Sequence, residues 1–282
     1  MTLLQKAVTP EQTRAYLVGG HDRVAGYVVR AVDVSFAVTP AQLVDVHALA
    51  YPHSPFRADS PWIDVLRFES APQFQYRDGA LGTLIPEWWL RHSRLTPGAE
   101  LVRVFDDGSA ALLGRYADIG SGWRVVHAAA PRPSRAPLSR CVGPVARWHG
   151  GYLDADLVDG GRSVVFALDS PPLLETGFRQ TRAGRWSRRV PREEVSELFE
   201  LDITAWWFGM PVRIVDQWQD RRRDVIARIS ALADDEALVT SLRMDKVEAG
   251  VYETTVPLAE LNGLVTEQLV PEAWATVSRL GA

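Results

Sequence analysis

AGRWSRRVPREEVSEL, residues 183–198, recurs as AGVYETTVPLAELNGL, residues 249–264. The two stretches align without a gap at a spacing of 66 residues. Ala183/Ala249, Gly184/Gly250, Val190/Val256, Pro191/Pro257, Glu194/Glu260 and Leu198/Leu264 are identical, and Trp186/Tyr252 and Val195/Leu261 are conservative. Repetition at a fixed spacing marks a duplicated supersecondary unit whose copies bury their faces against each other. Further out, ARWHG (146–150) matches AWWFG (205–209), and Leu157-Val158-Asp159 matches Ile214-Val215-Asp216. The spacings there are 59 and 57 residues, so the second copy carries an insertion around QWQDRRRD and ALADDEALVTSLRM.

Each copy reads strand, turn, strand, short helix, strand, helix. Asp159-Gly160-Gly161 supplies a turn in the first, and Pro191 and Pro257 each open a helix, with Glu193 and Glu194 suited to the positive end of its dipole. Val195 with Leu198, and Leu261 with Leu264, then share one buried helical face. Upstream, VAGYVVRAVDVSFAV (24–38) and WIDVLRFE (62–69) read as strands. TPAQLVDVHALA (39–50) reads as a helix with a threonine cap and a proline at its first position, and GAELVRVFDDGSAALLGRYAD as a hairpin turning at Asp107-Gly108. The expected class is α+β, antiparallel and β-rich, with a duplicated β-hairpin/helix module in the C-terminal half. The proline-rich stretch 126–144 reads as a connection. It divides an N-terminal α+β domain, 1–130, from a C-terminal domain, 144–282, whose repeats span about 144–200 and 203–268.

With 282 residues, 46% of them hydrophobic, the chain can bury a sizeable core. No apolar run approaches bilayer length, and the N-terminus lacks a basic segment followed by an apolar one, so a cytoplasmic protein without membrane association is expected. The single cysteine, Cys141, excludes an intramolecular disulfide and a cysteine-based metal cluster. A net charge of −4 disfavours nucleic acid as a partner, because such binding depends on neutralising phosphates.

Glycine-rich nucleotide loops (GxGxxG, GxxxxGK[ST]) and HExxH are absent, and the six histidines lack the i, i+4 spacing of a helical metal site, so neither a cofactor nor a metal is expected. HALAYPHSPFRADSPW (47–62) is the most unusual loop, with three prolines positioning His53, Arg57 and Asp59. Ser54, His53 and Asp59 contain the elements of a triad, but no GxSxG elbow presents the serine. Tyr27 to Arg30, with Ser60-Pro61-Trp62, resembles the first motifs of ADP-ribosyltransferase-like NAD-binding folds, in which the arginine contacts dinucleotide phosphates. No E-x-E segment accompanies them. An enzyme handling NAD or another nucleotide in the N-terminal domain, through Arg30, His53, Ser54 and Asp59, is therefore one reading.

The other reading rests on ten tryptophans and on arginine, both favoured at partner interfaces. Trp206 and Trp207, adjacent on a strand, must point to opposite faces. With Trp218, Arg221, Arg222 and Arg57 they are the candidate partner-binding residues. Trp207 to Asp216, read W-x-G-x-P-x-x-(I/V)-V-D, followed by GVYETTVPLAEL, is similar to a module of uncharacterised actinobacterial proteins associated with secreted polymorphic toxins and their immunity factors, including partners of NAD-glycohydrolase toxins. The resemblance covers residues 144–270. It implies a non-enzymatic protein that binds a protein partner, such as a toxin domain, and inhibits it by occlusion. The acidic balance would favour association with a basic surface.

Overall fold

Two threonine-proline pairs start the two N-terminal helices. In α1 (Pro10–Leu17) and α2 (Pro40–Val46), Thr9 and Thr39 accept from the backbone N–H of Gln12 and Gln42, whose side chains reach back to the threonine N–H. These are complete capping boxes with proline already inside the first turn. The computed structural model describes residues 2–70, 74–77, 85–126, 138, 141–172, 177–232, 236–271 and 274. The expected connection at 126–144 lies largely outside them.

The fold is mostly antiparallel β-structure in two sheets. The first comprises β1 (Thr2–Val8), β2 (Arg23–Arg30), β3 (Trp62–Ser70), β4 (Phe74–Arg77), β5 (Glu87–Arg94), β6 (Glu100–Phe105), β7 (Ala110–Asp118) and β8 (Gly122–Val125), in the order β4-β5-β2-β1-β3-β6-β7-β8. Both its faces are covered. Val28 and Leu66 join one apolar cluster while their neighbours Val29 and Val65 join another with Leu43 of α2, as the two-residue period of a strand requires.

The second sheet has eleven strands: β9 (Pro144–Trp148), β10 (Gly151–Val158), β11 (Ser163–Leu168), β12 (Arg179–Gln180), β13 (Trp186–Pro191), β14 (Glu197–Trp207), β15 (Met210–Gln219), β16 (Val225–Ala231), β17 (Asp245–Glu248), β18 (Val251–Pro257) and β19 (Asn262–Leu269). A short helix, α3 (Glu236–Ser241), precedes β17. The order is β12-β13-β11-β10-β9-β14-β15-β16-β18-β17, with β19 against β14. β14 has three partners. Glu197–Glu200 pairs with β9, Thr204–Trp207 with β15, and Glu200–Trp206 with β19. Glu200 is opposite residues of both β9 and β19, and Thr204 opposite residues of both β15 and β19, so β19 holds one edge while β9 and β15 divide the other.

The helices expected after Pro191 and Pro257 are not formed. Each is a single 3-10 turn, Arg192–Glu194 and Leu258–Glu260, after which the chain becomes strand. The proline-acidic start signal is overridden by the pairing available to the alternating segment that follows. Leu198 is buried, on β14 and not on a helix, whereas Leu264 is 51% exposed on β19, contrary to the expected buried face. The strand expected over 24–38 also stops at Arg30, where a turn begins. Among the described residues no helix is long and apolar enough to cross a membrane.

The sheets are joined by buried charges. Arg94 of β5 donates through Nη2 to the carbonyls of Pro144 and Ala155 (2.7 Å each), with its Nε 3.3 Å from Asp156. In return Arg213 of β15, fully buried, donates to the His92 carbonyl on β5 and lies 2.8 Å from Asp202, which also holds Arg91 at 3.0 Å. Asp156 accepts from Ile119 N–H at 2.6 Å and Tyr116 O–H at 3.3 Å, and Arg185 donates to the Ile119 carbonyl at 2.6 Å. Gly26 and Gly250 permit a close approach: a Cβ on Gly26 would lie 2.9 Å from the Ala249 carbonyl, and one on Gly250 2.7 Å from the Tyr27 ring. Removing one member of such a buried set strands its partners in low dielectric. Arg213→Met is therefore expected to cost about 3–5 kcal/mol in urea melts, a loss that an exposed arginine such as Arg115 would not show.

His47, at the end of α2, is buried with its ring 3.1 Å from Gln5 Nε2. Burial, and secondarily Lys6, pushes its pKa down from 6.5 to about 3. The fold accepts only the neutral ring, so this stability is complete above about pH 6.5 and is lost as pH falls toward 3. Asp156, lifted by burial to about 7 against the pull of Arg94, acts oppositely, losing its contribution as pH rises from about 4 through 7. Comparing wild type with His47→Gln cancels the Asp156 contribution. The variant's stability should fall less steeply between pH 6 and pH 4, by up to about 1.4 kcal/mol per pH unit, in pH-series chemical denaturation.

Candidate functional site

Two hairpins of the second sheet turn in two residues that both have positive φ. His149-Gly150 joins β9 to β10 with φ of 49° and 80°, and Phe208-Gly209 joins β14 to β15 with φ of 46° and 79°. Two consecutive positive φ values give the tight hairpin turn whose twist matches the strands. A left-handed residue bearing a Cβ costs roughly 1–2 kcal/mol, and a bulky aromatic is an unusual occupant. His149 lies flat on the buried Trp148, ring centroids 3.8 Å apart. Phe208 meets Trp207 only edge-on at 5.2 Å and stays 70% exposed.

Beside it, Trp206 is 52% exposed and lies over Gly263 of β19, where a Cβ would be 3.2 Å from its ring. Trp207 points the other way and is 7% exposed, packed with Met210, Val212 and Ile229. The adjacent tryptophans thus separate into one core residue and one surface residue, and Trp206 with Phe208 forms an aromatic tip. Nothing in the sequence marked Phe208 as a turn residue, since its left-handed backbone is unusual for an aromatic side chain.

The other candidates lie elsewhere. Trp218, half-exposed with the Arg228 guanidinium 5.8 Å from its ring, is seven residues along β15 from Pro211, the residue opposite Trp206. That is roughly 23 Å at about 3.3 Å per residue. Arg221 and Arg222 occupy the exposed turn beyond it, which Asp220 organises by accepting from the Arg222 and Asp224 N–H groups. The structure therefore divides the proposed partner residues between opposite ends of β15. Arg57 is chelated by Asp59 (2.9 and 3.0 Å) on the exposed loop, which raises the arginine pKa and lowers that of the carboxylate.

That pair leaves Asp59 occupied, and Ser54 Oγ accepts from the Phe56 N–H, so no hydrogen bond among the described residues joins Ser54, His53 and Asp59. Arg30 is held by Asp33 (2.7 and 3.3 Å) with its guanidinium 5.9 Å from the Trp88 ring. A cleft of about 1010 Å³ does open beside the loop, lined by His53, Tyr51, Tyr27, Glu11, Glu87 and Lys246 among others, but neither Arg30 nor Arg57 reaches it. Lys6 in its wall is spent on Glu248 (2.9 Å) and the Ala25 carbonyl. Burial pushes the Cys141 thiol up to about 12, which leaves it inert. No group of three or more metal-ligating side chains is assembled among the described residues.

No family model matches the chain, and no curated protein or solved structure is significantly similar to it.

The tip makes a stability contrast that separates surface from core. Trp207→Ala should cost about 3–5 kcal/mol, Trp206→Ala less than about 0.5, and Phe208→Asn nothing, since asparagine tolerates left-handed backbone. Denaturant melts of the three variants check this ranking.

Proposed function

We propose that the protein is a non-enzymatic, cytoplasmic protein-binding protein that docks a partner through the β14–β15 tip, with Trp206 and Phe208 as anchors. One observation carries the reading: Phe208 accepts a left-handed backbone while 70% exposed, next to a second exposed aromatic. Strain and exposed apolar surface at one spot are both costs to the free protein, and aromatic anchors recover such costs on binding. The resemblance of residues 144–270 to an immunity-associated module makes a secreted toxin domain the partner of choice, inhibited by occlusion.

We further propose that the second sheet is a duplication sharing β14. Its support is the pairing order: β12-β13-β11-β10-β9 with β14 beside β9 has the same form as β17-β18-β16-β15-β14 with β19 beside β14. Pro191 and Pro257 also have matching backbone (φ −57° and −56°), and each precedes an equivalent 3-10 turn. The role of the module is to present the tip on a rigid, doubly paired strand.

The alternative, an enzyme handling NAD or another nucleotide, draws its support from the cleft beside His53. Its phosphate-binding arginine would have to leave Asp33. Co-expression with secreted toxin domains encoded nearby tests both. Rescue of growth and co-purification should survive Arg30→Ala and His53→Ala and fail in a Trp206→Ala/Phe208→Asn double variant. Turnover of NAD by the isolated protein, abolished by Arg30→Ala or His53→Ala, would overturn the binding reading.

A further inference from the structure

Where β5 and β14 approach across the seam there is a second cavity, of about 510 Å³, built from both sheets. Phe68, Leu95, Pro97 and Trp274 give it apolar walls. Its charged lining is Glu69, Asp156, Asp159, Glu200 and Arg94. Most of these charges are already committed. Asp156 is held by Ile119, Tyr116 and Arg94, Asp159 pairs with Arg189, and Arg94 spends its Nη2 on two carbonyls while lying against Gly143.

Glu69 is exposed to solvent, and Glu200 is the buried exception. It is 5% exposed and lines the cavity, yet among the described residues its carboxylate makes no hydrogen bond and no ion pair. Its neighbours on the strand explain why. Arg213 is drawn to Asp202, two residues along on the same face of β14, and donates to the Leu201 carbonyl. Burial raises the Glu200 pKa, outweighing the fields of Arg213 and Arg94. A buried carboxylate with no hydrogen bond or ion pair of its own is a standing cost that a bound cation removes.

We infer that this cavity binds a small organic cation, an ammonium or guanidinium head on a short apolar body, with Glu200 as counter-ion. An anion would meet four carboxylates against one arginine, whose Nη2 is already bonded to two carbonyls and whose Nε lies 3.3 Å from Asp156, and a neutral guest of the same shape would leave Glu200 without an ion-pair partner. The volume suits a ligand of about ten to fifteen heavy atoms, within the usual range of small-molecule sites. The head group could belong to a free amine or to a basic side chain of a peptide, since the same carboxylate serves either.

Calorimetric titration of the full chain with phenethylamine, 2-phenylethanol, 3-phenylpropionate and an end-capped Gly-Lys-Gly peptide tests this. Saturable binding of phenethylamine at least tenfold tighter than the alcohol, with no binding of the carboxylate, is expected. Peptide binding tighter than that of the amine would assign the head group to a protein side chain, and the reverse to a free amine; both outcomes support the cation. Glu200→Gln keeps shape and loses no partner, so its melting temperature should be preserved while phenethylamine affinity falls at least tenfold. Ala117→Leu, narrowing the cavity at a half-buried wall, should weaken amine and alcohol alike. Equal affinity for amine and alcohol, preference for the carboxylate, or full affinity in Glu200→Gln would overturn the assignment. Because the ligand comparison is made on wild type, it stands even if a variant fails to fold.

Discussion

The structure depends on a reciprocal exchange of arginines. Arg94 leaves the first sheet to satisfy carbonyls of the second, and Arg213 leaves the second to satisfy a carbonyl of the first. Ion pairs in such a setting add little net stability, because desolvation offsets attraction. What they impose is position. A guanidinium bonded to fixed carbonyls accepts one arrangement of the sheets, and sliding by a residue would strand several buried donors at once. The Gly26–Gly250 approach and the Trp89 indole, which donates to the Gly250 carbonyl at 3.0 Å, extend the same constraint to the far end of the seam.

Local features were the legible ones. Thr39-Pro40 announced α2 and Asp107-Gly108 announced the β6–β7 hairpin, because caps and turns are decided by a few adjacent side chains. Trp206 and Trp207 could be assigned to opposite faces from strand period alone, though not which was buried. Pro191-Arg-Glu-Glu misled for the same reason that Thr39-Pro40 succeeded: both carry a helix-start signal, and only long-range pairing of Leu198 and its successors decides between turn and helix. Pro10–Leu17, capped by Thr9, shows that the signal was also present where it was not read.

The candidate sites divide along the same line. The loop 47–62 drew attention by composition, but Arg57 and Asp59 satisfy each other, and Arg30 satisfies Asp33. Charged residues close in sequence are the first to find one another. Glu200, by contrast, sits in a strand that reads as ordinary alternation, and its lack of a partner follows from what Arg94 and Arg213 do in other strands. No local inspection of the sequence exposes a residue whose distinction is a contact it does not make.

The division of one β14 edge between β9 and β15 has a consequence for how the chain comes together. During synthesis β9 can pair with β14 as soon as the latter emerges, but the opposite edge stays open until β19, some sixty residues later, has been made. Through that interval the strand carrying Glu200, Asp202 and Trp206 offers unpaired backbone to any other extended segment, the condition under which nascent chains associate wrongly. The charges along it, costly once buried, keep that open edge from joining a like strand of a neighbouring chain. The carboxylates that complicate the finished interior are thus gatekeepers of the unfinished one.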